Sequence, residues 1–110
     1  MNVTARAAGV VTVLEVSGEI DGQCAPAFVA QVLASLAPEG RLLLDMGGVT
    51  FLSSAGLRAL LLAHREAADR RARLVLAGVS EDLRTTMSAT GFLKFFTIRE
   101  TVEDAVSVLE

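Results

Sequence analysis

Few side chains in this sequence can do chemistry, and their spacing separates the possible functions. There is one histidine, His64, and one cysteine, Cys24. Serines are more plentiful, and two stand side by side as Ser53-Ser54. Hydrolysis by a serine needs nucleophile, base and orienting group within hydrogen-bond reach. Ser54 and His64 fall on one predicted helix ten residues apart, which separates them by about 15 Å along its axis. They cannot form a dyad. His64 follows Leu60 by four residues and Leu57 by seven, a position at the rim of an apolar stripe where packing accounts for it. One Cys and one His cannot close a zinc shell. No P-loop or G-x-G-x-x-G occurs. No catalytic residue, metal or cofactor is therefore expected. Cys24 stands near a helix start, where a small buried residue and a thiol of lowered pKa are both compatible readings. Asp21 before that helix and Asp45 at a strand end can cap backbone amides or belong to a recognition surface.

What remains is the stretch Leu42–Leu62, LLLDMGGVTFLSSAGLRALLL. It reads as strand, loop and helix, with two hydroxyls at the helix start. One of Ser53 and Ser54 can be the N-cap. The other is left at a place where free N–H donors and partial positive charge favour an added phosphate. Gly56 follows in the first turn, where glycine is worse than alanine by up to ~1 kcal/mol. Close approach by a partner or a phosphate is the expected reason for it.

The elements that position this loop follow from periodicity. Val10–Val16 is a β-branched, nearly continuous apolar run, read as a strand buried on most of both faces. Val3–Ala7 pairs with it across an Ala8-Gly9 turn. Ser17–Gly22 breaks the pattern and opens a helix with Phe28, Val29, Val32, Leu33 and Leu36 in one stripe and Pro26 in its first turn. Arg41–Met46 is the next strand, and Gly47-Gly48 reads as a turn before Val49–Leu52. Leu57, Leu60, Leu61 and Ala68 form the buried stripe of the second helix, with Arg58, Arg65, Glu66 and Asp69 on its wet side. Arg73–Ala77 is a strand, Ser80 caps a third helix that Gly91 ends, and Phe95–Ile98 is a short strand. Thr101 and Asp104 open a fourth helix. The predicted order is β-β-α-β-α-β-α-β-α. That is a single α/β domain over residues 1–110, a mixed sheet of about five strands with about four helices. Element order does not say whether the helices cover one face or both.

At 110 residues and 52% apolar composition, one core can be built without a disulfide or metal. A net charge of −3 argues against a nucleic-acid partner. The longest apolar runs are far too short to span a bilayer, so no membrane insertion is expected. A single cysteine and no apolar leader at Met1–Gly9 point to a reducing cytoplasm.

The same residues carry a family resemblance. Asp45, Val49, Phe51, Leu52, Ser53, Ser54, Ala55, Gly56 and Leu57 resemble the signature of the STAS family, an apolar strand ending in Asp, then Val-x-Phe/Tyr-(Ile/Leu), then Asp-Ser-(Ser/Thr)-Gly-Leu entering a helix. Ser17–Asp21 (SGEID) is similar to the family's Gly-Glu-(Leu/Ile)-Asp before the first helix. Ser88–Lys94 (SATGFLK) is similar to its Ser-Gly-Leu ending before the last strand. The matches come in family order over nearly the whole chain. The resemblance implies an anti-sigma factor antagonist, a binding protein and not an enzyme. It implies an anti-sigma factor with serine kinase activity as partner, which supplies ATP and Mg²⁺, and a serine phosphatase. Aligned on Gly56, the phosphoacceptor falls on Ser54, with Ser53 as the alternative because it replaces the family's Asp. Ala55 stands where the family has a second hydroxyl. The implied partner-binding surface is Asp21, Ser53, Ser54, Ala55, Gly56 and Arg58. A STAS module that acts as an adaptor without phosphorylation, in a stress-signalling or lipid-transport complex, is the alternative.

Overall fold

The computed structural model describes all residues, Met1–Glu110. In chain order the elements are β1 (Asn2–Ala8), β2 (Val11–Ile20), α1 (Ala25–Ser35), β3 (Arg41–Leu52), α2 (Ser54–Asp69), β4 (Arg73–Ala77), α3 (Glu81–Ala89), β5 (Thr97–Arg99) and α4 (Val102–Leu109), with a 3₁₀ turn at Leu93–Phe95 before β5. The predicted order and mixed α/β class hold. The five strands lie side by side in sequence order, β1 antiparallel to β2 and all later pairs parallel.

Helices cover both faces of the sheet, in unequal shares. Leu14, Leu42, Leu44 and Leu76 point to one side and pack with Phe28 and Val32 of α1, Leu57 and Leu60 of α2, and Leu83 and Met87 of α3. Val11, Val13, Leu43 and Val75 point to the other and pack with Ala105 and Leu109 of α4, with Val102, Val106 and Val108 beside them. The alternation of Leu42, Leu43 and Leu44 between the two cores is the period of two that a strand imposes. It explains why a strand buried on both faces reads as an unbroken apolar run.

The structure corrects two expected breaks. Ser17–Ile20 does not leave the sheet but remains the last part of β2, and α1 starts only at Ala25, after a turn. Gly47-Gly48 is not a turn, because β3 runs straight through it to Leu52. Both segments look irregular because the β2–β3 register slips twice. Glu15 faces Asp45 but Ser17 faces Gly48, and Gly18 faces Val49 but Glu19 faces Phe51, so β3 gains one residue on β2 at each step. Such bulges re-aim the side chains that follow. Met46, Val49 and Leu52 are three residues apart, which in a regular strand would alternate faces, yet all three reach the larger core. At the first bulge the strands close up so far that a Cβ on Gly48 would stand 2.8 Å from Ser17 Cβ.

Two smaller expectations also change. In α2 the buried stripe is Gly56, Leu57, Ala59, Leu60, Ala63 and Ala67, while Leu61 is half-buried and Ala68 exposed. The last strand is shifted from Phe95–Ile98 to Thr97–Arg99, because Leu93–Phe95 closes a 3₁₀ turn first.

The far ends of α1 and α2 are clamped together by Arg70. Its Nη1 donates to the carbonyl of Leu36 at 2.7 Å and to that of Leu33 at 3.0 Å, which also accepts from the Leu36 N–H, at the C-terminal end of α1. Glu66 holds the same guanidinium at 3.6 Å. The α1–α2 pair flanks the loop between β3 and α2, so this clamp fixes its far end. Replacing Arg70 with Ala is expected to cost about 1–2 kcal/mol in denaturant unfolding. That is the lower part of the range for charge-assisted hydrogen bonds, because the side chain stays about a third exposed. Arg70→Lys should recover only part of it, since one ammonium cannot copy the planar fork.

Candidate functional site

The site is assembled at the ends of β2 and β3, where both strands hand over to helices. β3 ends at Leu52 and α2 begins at Ser54, leaving Ser53 as the N-cap in extended conformation. Three bonds engage the amide and hydroxyl of Ser53, besides the helix bond that its carbonyl accepts from the Leu57 N–H at 2.8 Å. Its backbone N–H donates to the Ile20 carbonyl at 3.0 Å, its Oγ donates to the same carbonyl at 3.2 Å, and its Oγ accepts from the Gly56 N–H at 3.1 Å. This hydroxyl is committed as both donor and acceptor. Ser54, one residue on, is exposed, and its hydroxyl makes no hydrogen bond within the protein. Two adjacent serines of equal chemistry in the sequence thus have different environments in the fold.

Asp21 reaches the same corner from β2. Its Oδ1 accepts from the N–H of Gln23 at 3.0 Å and of Cys24 at 3.2 Å, which ties the turn leading into α1. The Cys24 bonds, and then that from Gln23, hold the Asp21 carboxyl below its ordinary value of 3.8. Cys24 is half-buried. It lies within hydrogen-bond range of the Glu19 carbonyl at 3.3 Å, and its sulfur accepts from the Asp21 N–H at 3.2 Å. Of its two readings, the small packed residue describes what the thiol does here. Gly22, next along, faces Ala55, so the Asp21 turn and the start of α2 form one continuous surface. Arg58 extends it one turn along α2 and is exposed. Phe51, which the sequence reading used only as part of the motif, stands 51% exposed just before the loop. No signal in the sequence marked it as exposed, since the bulges beside it show only in the β2–β3 register.

Gly56 is the exception among the expected surface residues. It is buried, and the close approach that excludes a side chain comes from inside the fold. A Cβ there would run into the Ile20 carbonyl oxygen and would stand 2.9 Å from Leu52 Cδ1 and 3.1 Å from Ile20 Cγ2. The glycine lets α2 dock on the end of β2, which replaces the expectation of an approach by a partner or phosphate.

Comparison with known proteins places this geometry. Residues 2–105 match the STAS domain family. The chain belongs to that family. BtrV of Bordetella bronchiseptica, a protein assigned to the anti-sigma factor antagonists, is 32% identical over 72 residues, 66% of this chain and 62% of BtrV. The match thus spans less than two thirds of that relative. The crystal structure of an anti-sigma factor antagonist from Mycobacterium paratuberculosis superposes with a TM-score of 0.86 at 28% identity, covering 98% of this chain and 92% of that one. SpoIIAA of Bacillus, whose structure is known in phosphorylated form, shares the fold at 17% identity with a TM-score of 0.73, covering 99% of this chain and all of that one. The sequence resemblance to the STAS family therefore stands, together with its fold. No helix of this STAS domain is long and apolar enough to cross a membrane.

Stability measurements on single variants distinguish the roles of the three loop residues. Ser53→Ala removes the cap and should cost about 0.5–2 kcal/mol. Ser54→Ala removes no bond and should stay within about 0.5 kcal/mol of the parent. Gly56→Ala should destabilise by about 1–3 kcal/mol, the ordinary cost of overpacking, although alanine is the better helix former. Denaturant midpoints at constant m-value read all three.

Proposed function

We propose that this domain is an anti-sigma factor antagonist whose docking on an anti-sigma factor kinase is gated by phosphorylation of Ser54. The family supports the class of function. The residue choice is supported above all by the free, exposed hydroxyl of Ser54 beside a fully engaged Ser53. The domain acts by binding, and the kinase brings ATP and Mg²⁺. Unphosphorylated, the surface formed by Asp21, Ser54, Ala55 and Arg58 seats the partner and frees the sigma factor. A phosphatase restores that state after phosphorylation.

Local charge is sufficient for the switch. Phosphate adds about −1.5 to −2 charges at neutral pH. At the first position of α2 it lies beside amides that have no carbonyl a turn behind them, so the fold tolerates it or gains roughly 0.3–1 kcal/mol. A partner carboxylate about 6 Å away feels near 3 kcal/mol of repulsion per unit charge at an effective dielectric of ~20. Two such units weaken binding on the order of 10³-fold or more.

Incubation with the cognate kinase and ATP–Mg²⁺, followed by intact-mass and fragment analysis, should show one phosphoryl group on Ser54. Ser54→Ala should lose it and keep partner affinity, and Ser54→Glu should weaken binding only in part. Phosphate on Ser53 would overturn the residue choice, and phosphate elsewhere alone would remove the switch. Amide NMR shifts on phosphorylation should stay within the loop and α2. Shifts across the sheet would replace the local charge mechanism by a conformational one.

A further inference from the structure

The chain's only histidine is far from Ser54 and takes no part in the switch. It sits near the C-terminal half of α2, facing the segment between α3 and β5. Its ring packs against two phenylalanines, Phe96 edge-on at 5.4 Å and Phe95 tilted at 6.0 Å between centroids. Phe95 is itself 47% exposed. Two depressions meet here, of about 250 and 430 Å³, and both are lined by His64, Ala68 and Phe95. Arg73 lines the first and Arg65 the second, where Phe92 adds a further apolar wall.

The groove differs from an ordinary solvated surface in its charge. Its titratable lining is His64, Arg65 and Arg73, with no carboxylate. Neither arginine is in an ion pair, since the protein's two salt bridges are Arg6–Glu15 and Arg70–Glu66. Lys94 stands over the Phe95 ring at 5.7 Å and adds another cation at the rim. These unpaired cations surround an aromatic and alanine floor, in a chain whose net charge is −3. An aromatic wall gives a flat apolar body a face to stack on. A guanidinium offers a planar fork for a carboxylate, sulfonate or phosphate. A concave apolar site with a few convergent polar groups is the usual form of a small-molecule site.

The geometry points to a binding site for a small amphipathic anion, a flat apolar body with one acidic head, in the groove between α2 and the Phe92–Phe96 segment. The body lies against Phe95 and Ala68, and the head is held by Arg73 or Arg65. This site is separate from the Ser54 surface and does not depend on the proposed phosphorylation.

The probes are 1-anilinonaphthalene-8-sulfonate and its uncharged analogue N-phenyl-1-naphthylamine, titrated into the full chain. Because there is one histidine, its ring protons give a single unambiguous NMR reporter. The sulfonate should bind one to one, shift the His64 signals, and bind at least fivefold tighter than the neutral analogue. Joint replacement R65Q/R73Q should weaken it about tenfold, and Phe95→Ala should weaken it at least fivefold. Phe51→Ala, which removes an exposed ring elsewhere, should leave it unchanged. Circular dichroism melts of each variant show that the fold is kept. Equal affinity for the neutral probe, unmoved His64 signals, or loss of binding in Phe51→Ala would overturn the proposal. So would His64 shifts that depend on protein concentration alone, which would make the groove an interface between two copies.

Discussion

The Ile20 carbonyl is the contact around which the functional corner is built. It ends β2, accepts from both the amide and the hydroxyl of Ser53, and fills the space where residue 56 would carry a Cβ. Two strands, one helix start and two of the motif residues are thereby fixed by one oxygen. Were β2 to end a residue earlier, the cap would lose its acceptor and α2 would have nothing to seat against. Burial raises the stakes of such a contact, because a carbonyl deprived of its donors away from water carries the full desolvation penalty, about 1–3 kcal/mol.

That oxygen reaches its position because of the two slips between β2 and β3. Each adds a residue to β3, and together they carry Val49 and Leu52 back into the larger core while leaving Phe51 outside. The unequal helix cover of the sheet follows the same logic. Three helices crowd one face, where the larger core lies, and α4 alone closes the other with Ala105 and Leu109. The Ser54 surface sits where the strands end and β3 passes into α2.

Much of this was legible in the sequence. The apolar runs at Val10–Val16, Arg41–Met46 and Arg73–Ala77 identify the inner strands, because a strand covered on both faces needs apolar residues at every position. The caps at Ser80 and Thr101 are also read correctly, each accepting from the amide three residues on. The bulged segments were not legible. Ser17-Gly18-Glu19 and Gly47-Gly48 have turn-like composition, and only the register of the partner strand shows that they remain paired. The choice of cap between Ser53 and Ser54 was hidden for a similar reason, since it depends on an acceptor 33 residues away. The purpose of Gly56 was misread because a close approach leaves the same trace in a sequence whether it comes from a partner or from the fold.

The distance along the chain between Ser53 and its acceptor has a consequence for when the two serines become different. In a newly made or unfolded chain both hydroxyls are free, and nothing local sets one apart. The distinction arises only once β2 and β3 have paired, a non-local step that must close a loop through the whole of α1 and carries its entropy. Recognition that depends on a free Ser54 beside a sequestered Ser53 therefore reads the completed tertiary structure.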